Sequence, residues 1–145
     1  MKILHPTDFS ESAERAQQEA IRLARSIGAE LILLHVAVET PLYGEGLLNM
    51  PEVKEVYAAA RKWATATLEE RAVKIRGDGL ATRWLLRAGV PHDEIVKTAT
   101  EEGADYVVIG THGRGGLERV FLGSVADRVV RTAPCPVVTV RQPEA

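Results

Sequence analysis

The chain has 145 residues, 46% hydrophobic and 26% charged, with 18 Lys and Arg against 20 Asp and Glu for a net charge of −2. One domain is expected over residues 1–145, large enough to bury its own core, and the balanced charge with no basic stripe argues against nucleic-acid binding. The single cysteine, Cys135, excludes an intramolecular disulfide and a thiolate metal cluster. Its proline-flanked setting reads as a small apolar filler. No apolar stretch approaches the roughly 18 residues of a membrane span, and the start Met1-Lys2-Ile3-Leu4-His5-Pro6 lacks the apolar centre of a signal peptide. A cytoplasmic protein without membrane partners is expected.

Short apolar runs alternate with longer segments of helical period. Ile3-Leu4-His5-Pro6 reads as the first strand. Ala13, Ala16, Ala20, Leu23, Ala24 and Ile27 recur at three and four residues, an amphipathic helix stopped by Gly28. Leu31 to Val36 is a second, nearly all-apolar strand, and 37–50 reads as a loop containing Pro41, Gly44 and Gly46. Pro51 suits the first turn of a long helix. Its buried face is expected to be Val53, Val56, Tyr57, Ala60, Trp63, Ala64, Leu68, Ala72 and Ile75, with Gly77 and Gly79 ending it. Leu80 to Arg87 is the third strand, Pro91 to Glu102 the third helix and Tyr106 to Ile109 the fourth strand. Ser124 to Thr132 is the fourth helix and Pro136 to Arg141 the fifth strand.

This alternation predicts an α/β fold: a single open, mostly parallel five-stranded sheet with right-handed crossovers and helices on both faces. Such sheets bind ligands beyond the carboxyl ends of their strands, where the strand order reverses. The residues after strand one and the loop after strand four are the segments placed at that edge.

The loop Gly110 to Ser124 reads GTHGRGGLERVFLGS, with five glycines in fifteen residues between a strand and a helix. Its glycines free the backbone to take positive φ and expose N–H groups. The helix it opens offers unpaired N–H groups and a positive dipole end to a phosphate. A Walker loop would need a lysine before its closing Ser or Thr, and Gly123 stands there. A dinucleotide fingerprint would need glycine where Glu118 sits, and a nucleophile elbow would need glycines at Leu122 and Ala126.

What remains is Gly110-x2-Gly113-x9-Gly123-Ser124. With the opening Pro6-Thr7-Asp8-Phe9-Ser10 and the ending Pro134-Cys135-Pro136-Val137-Val138-Thr139-Val140, the chain resembles the universal stress protein family along its whole length, in the glycine spacing of the ATP-binding branch. The resemblance implies a Rossmann-like fold of the adenine nucleotide α-hydrolase type and ATP as ligand. Mg²⁺ or Mn²⁺ would be held through the phosphates, with no protein metal site. The implied ligand residues are Pro6, Thr7, Asp8 and Val36 on the base and ribose side. On the phosphate side they are Gly110, Thr111, His112, Gly113, Arg114, Gly115, Gly116, Gly123, Ser124, Val125 and Ala126.

Read as residues, Gly110 would let ribose and α-phosphate approach, Gly113 permits the turn, and Gly123 lets the backbone close on the phosphates. Ser124 is a candidate N-cap whose hydroxyl can also meet a phosphate oxygen. Arg114 is either a phosphate contact or a solvated arginine, and Gly115 and Gly116 either cradle phosphate or supply flexibility. Asp8 either accepts from ribose hydroxyls or joins Glu11 in a capping box, with Ser10 a competing cap. Val36 is either an adenine-side residue or an ordinary core valine. His5 and His35 read as core or sheet-end histidines, and no histidine spacing suggests a metal site.

No catalytic residue is assigned, because no nucleophile, base or arginine finger is evident. The implied activity is a nucleotide-dependent regulator or sensor in the stress response, with slow hydrolysis or autophosphorylation at most. A true ATP hydrolase or phosphotransferase and a nucleotide-free dimeric scaffold stay open. The last strand, Val137 to Val140, reads as an exposed edge, which the resemblance makes a homodimer interface. The regulatory protein partner is not specified by the sequence.

Overall fold

The computed structural model describes residues 1–39, 50–112 and 123–142. Within them the chain forms β1 (Lys2–Pro6), α1 (Glu11–Ile27), β2 (Glu30–Val38), α2 (Pro51–Gly77) and β3 (Thr82–Gly89). It continues through α3 (Pro91–Glu102), β4 (Tyr106–Gly110), α4 (Ser124–Thr132) and β5 (Val137–Val140). All strand pairs are parallel and the sheet order is β3-β2-β1-β4-β5. The chain therefore winds outward from β1 to β3 and returns across β1 to reach β4. The order reverses between β1 and β4, and a crevice opens beyond the carboxyl ends of those two strands.

Alternating side chains divide the core between the two faces. Ile3, Leu31, Leu33 and Val108 pack beneath α1 and α2, against Ala16, Ala20 and Ala24 of the first helix and Leu68, Ala72 and Ile75 of the second. Leu4, Ile32, Leu34, Val107 and Ile109 pack beneath α3 and α4, against Ile95, Ala99, Ala126 and Val129. The alanine face of α1 keeps that helix close to the sheet. Gly28 and Gly103 close α1 and α3 in left-handed conformation, at φ 67 and 64. No helix among the described residues is long and apolar enough to cross a membrane.

Several expectations change: strand three spans Thr82–Gly89 in place of Leu80 to Arg87, and strand five Val137–Val140 in place of Pro136 to Arg141. Strand two runs beyond Val36, because Ala37 and Val38 pair with Ala88 and Gly89. The buried face of α2 is also shorter than its pattern suggests. Ala64, Leu68, Ala72 and Ile75 are buried, whereas Val56 and Trp63 are 68% and 54% exposed. At 27 residues the helix is about 40 Å long, whereas the neighbouring 8-residue β3 spans about 26 Å. The first half of α2 outruns the sheet.

The outer edge strand β3 carries charge. Arg83 bridges Glu30 at 2.9 Å and Glu102 at 2.6 Å, and Arg87 lies 3.5 Å from Glu101. The Arg83 guanidinium holds the Glu102 carboxyl below its usual range.

His5 is fully buried on the α1–α2 face. Its Nδ1 lies 2.9 Å from the Val108 carbonyl, which can only accept, so Nδ1 carries the proton. Nε2 is buried without a partner. Burial, with Arg71 adding to it, lowers the pKa from 6.5 to about 4, so the ring is neutral at pH 7. Because the unfolded chain binds the proton more readily, this stabilisation is complete above pH 6.5 and is lost as the pH falls toward 4. About 2 kcal/mol is expected to be gone by pH 5. Urea midpoints between pH 7.5 and 5 should fall more steeply for the wild type than for His5→Val. Parallel pH profiles would disprove the assignment.

Candidate functional site

The turn after β1 is fixed by backbone and side chains together. Thr7 donates its N–H to the Leu34 carbonyl at 2.8 Å, and its own carbonyl accepts from His35 Nδ1 at 2.8 Å. Thr7 Oγ1 takes the Phe9 N–H at 3.0 Å, and Asp8 Oδ1 takes the Ser10 N–H at 3.0 Å. Phe9 sits at φ 65, a conformation that costs a non-glycine residue roughly 1–2 kcal/mol. Its ring is held by His35 at 4.6 Å, Trp63 at 5.0 Å edge-on and the Arg71 guanidinium at 5.0 Å. Arg71 is itself anchored by Gln17 at 3.1 Å and by Glu14.

The question of which residue caps α1 is settled here. Ser10 is the N-cap, and its Oγ accepts the Ala13 N–H at 3.2 Å. Asp8 stands outside the helix, at the mouth of the crevice, with one carboxylate oxygen engaged by Ser10.

Across the crevice, Thr111 continues from β4, giving its N–H to the Val140 carbonyl at 3.1 Å. The Thr111 carbonyl takes the Gly123 N–H at 2.5 Å, tying the start of α4 to the end of β4. The His112 N–H reaches Ser12 Oγ of α1 at 3.3 Å. Thr111 Oγ1 lies 2.9 Å from His112 Nδ1, and His112 Nε2 is buried without a partner.

The two described glycines of the loop are held bare by contacts within the chain. Neither has positive φ. A Cβ on Gly110 would lie 2.6 Å from Ser12 Oγ and 2.9 Å from the Ser12 carbonyl. A Cβ on Gly123 would lie 2.8 Å from the Thr111 carbonyl. Both positions are bare because the chain closes on itself there.

The N-cap of α4 is Gly123, not Ser124, and among the described residues no side-chain cap bond is made there. The Gly123 carbonyl accepts the first helical bond, from Asp127 at 2.9 Å, so Ser124, Val125 and Ala126 occupy the first turn. Their N–H groups belong to the helix end that attracts anions.

The structure thus brings Pro6, Thr7, Asp8, Gly110, Thr111, His112, Gly123, Ser124, Val125 and Ala126 to the carboxyl ends of β1 and β4. Val36 lies one strand away on β2, 8% exposed, in the core under α3 and α4. Gly113, Arg114, Gly115 and Gly116 lie outside the described residues. Cys135 packs against the same core, and burial pushes its thiol pKa up, as befits a filler. Sequence reasoning passed over Ser12, whose partner is 100 residues away in the chain.

Residues 1–141 match the Universal stress protein family. A universal stress protein of Methanocaldococcus jannaschii is 38% identical, the match covering 99% of this chain and 83% of that protein. The solved structure of the universal stress protein UspA from Lactobacillus plantarum superposes with a TM-score of 0.87 at 27% identity, over 97% of each chain. A universal stress protein from Archaeoglobus fulgidus, solved in complex with dAMP, gives a TM-score of 0.67 at 28% identity, over 97% of this chain and 98% of that one. With the family matched over residues 1–141 and a relative 38% identical along almost the whole chain, the chain belongs to the universal stress protein family.

Proposed function

We propose that this chain is an ATP-binding regulator or sensor of the stress response that holds its nucleotide at the crevice between β1 and β4. The observation that carries the reading is the convergence at the point where the strand order reverses. There Asp8 follows β1, His112 follows β4 and the first turn of α4 begins after Gly123, with the Gly123–Thr111 bond tying the last two together. The dAMP complex of the Archaeoglobus relative supports a nucleotide in this fold.

Asp8 would accept from the ribose hydroxyls. Ser124 and the N–H groups of Val125 and Ala126 would meet phosphate oxygens, where the helix dipole favours negative charge. The unspent His112 Nε2 suits a further phosphate contact. As the family resemblance implies, Mg²⁺ or Mn²⁺ would be held through the phosphates. The chemistry such an ion supplies is neutralisation of phosphate charge. Thr111 and His112 form a hydroxyl–imidazole pair of the kind that activates a nucleophile. Thr111 is only 2% exposed, which supports a site that holds ATP over one that turns it over quickly.

A homodimer through β5 is part of the same reading. The Pro136 and Val140 carbonyls accept from the N–H groups of Val107 in β4 and of Thr111 just after it. By strand alternation Val138 faces β4 as well, leaving the backbone groups of Val137 and Thr139 toward the open edge.

Mass spectrometry of the small molecules released from freshly purified, denatured protein should find an adenine nucleotide. An empty protein that also fails to take up ATP with Mg²⁺ in equilibrium dialysis would refute the reading. Gly110→Ala forces α1 away from β4 and should weaken ATP binding about tenfold or more; unchanged affinity in the folded variant would show that the contact does not shape the site. Thr139→Pro removes an edge N–H without touching the β4 ladder, and light scattering should then report monomer. A persistent dimer would place the interface elsewhere.

A further inference from the structure

Ser12 sits in the first turn of α1 and is 3% exposed. A serine there ordinarily serves the helix terminus, but Ser10 already does so. The Ser12 hydroxyl instead crosses to β4, where it accepts the His112 N–H at 3.3 Å. That amide is the next backbone donor after Thr111, whose N–H still belongs to the sheet through Val140. It therefore marks where the chain leaves the ladder and enters the glycine loop. The bare Gly110 makes the contact possible, since a Cβ there would fall 2.6 Å from Ser12 Oγ.

We propose that Ser12 is a positioning residue for the phosphate side of the cleft. The same helical turn holds both walls. Asp8 Oδ1 is bonded to the Ser10 N–H at 3.0 Å, and His112 is bonded to Ser12. With α1 packed on the sheet through its alanines, the gap between the ribose acceptor and the start of the loop is set by one rigid element. The inference rests on the nucleotide reading above and adds to it a residue that touches no ligand.

The test compares Ser12→Ala, which deletes the acceptor, with Ser12→Thr, which keeps it. Amide hydrogen exchange in the ligand-free protein reads the contact directly, and titrations with ATP–Mg²⁺ and with adenosine read its consequence. In Ser12→Ala, exchange at His112 should quicken and ATP affinity should fall, each by about twofold to tenfold, the worth of one hydrogen bond. Adenosine affinity should stay within about twofold, because the bond orders the phosphate side only. Ser12→Thr should lie nearer the wild type in both readouts. Unchanged His112 exchange in folded Ser12→Ala would overturn the proposal. So would equal losses for ATP and adenosine, which would mark a general packing role. A wild-type protein that binds no nucleotide would overturn the nucleotide reading and with it the positioning role, while the exchange data would still decide whether Ser12 holds the loop.

Discussion

The first turn of α1 and the carboxyl end of β4 approach so closely that no side chain fits between them. Gly110 lies against Ser12 with no room for a methyl group, and the rest of the crevice is built outward from that contact. Helix α1 can come so near because the face it turns to the sheet is alanine at positions 16, 20 and 24. A larger residue at any of these would lift the helix and part the two walls. Gly123 makes the matching approach on the far side, against the Thr111 carbonyl. Two glycines and three alanines thereby fix the positions of β4, α1 and α4, the elements that frame the crevice with β1.

The wall that carries Asp8 is held differently. Its turn contains a phenylalanine in left-handed conformation, and the unfavourable backbone is offset by rings and a guanidinium packed around Phe9. The cluster reaches from His35 on β2 to Trp63 and Arg71 on α2, so both elements contribute to the position of a residue they do not touch in sequence. One wall depends on the absence of side chains and the other on an abundance of them. His5 lies beneath this cluster in a neutral form, which keeps a charge out of the core at the ordinary working pH.

Much of this was legible in the sequence because hydrophobic period and glycine punctuation act locally. The alternation of strands and helices and a mostly parallel sheet could be read from runs such as Leu31 to Val36 and stops such as Gly28, and every strand pair among the described residues is parallel. What stayed hidden depends on residues distant in the chain. The glycines at 110 and 123 read as room for a ligand, and the sequence does not show that each also lies against a chain neighbour, Ser12 and Thr111. The apolar pattern of α2 continues through Val56 and Trp63, and only the length of the sheet shows that those residues have passed its end. Ser124 looks like a cap until the Gly123 carbonyl is seen to receive the first helical bond. Asp8 and Ser10 are both plausible caps by composition, and only their donors distinguish them.

The two outer edges of the sheet are unequal. The β3 edge is lined by arginines already engaged with Glu30, Glu101 and Glu102, whereas β5 is short and uncharged. A second copy added across β5 by a twofold axis would join two sheets into one, and the new outer strands would both be β3. In the proposed pair the charged strand would act as a terminator on each side. Growth would then stop at two copies, with the arginines of β3 standing between a closed pair and an open-ended fibre.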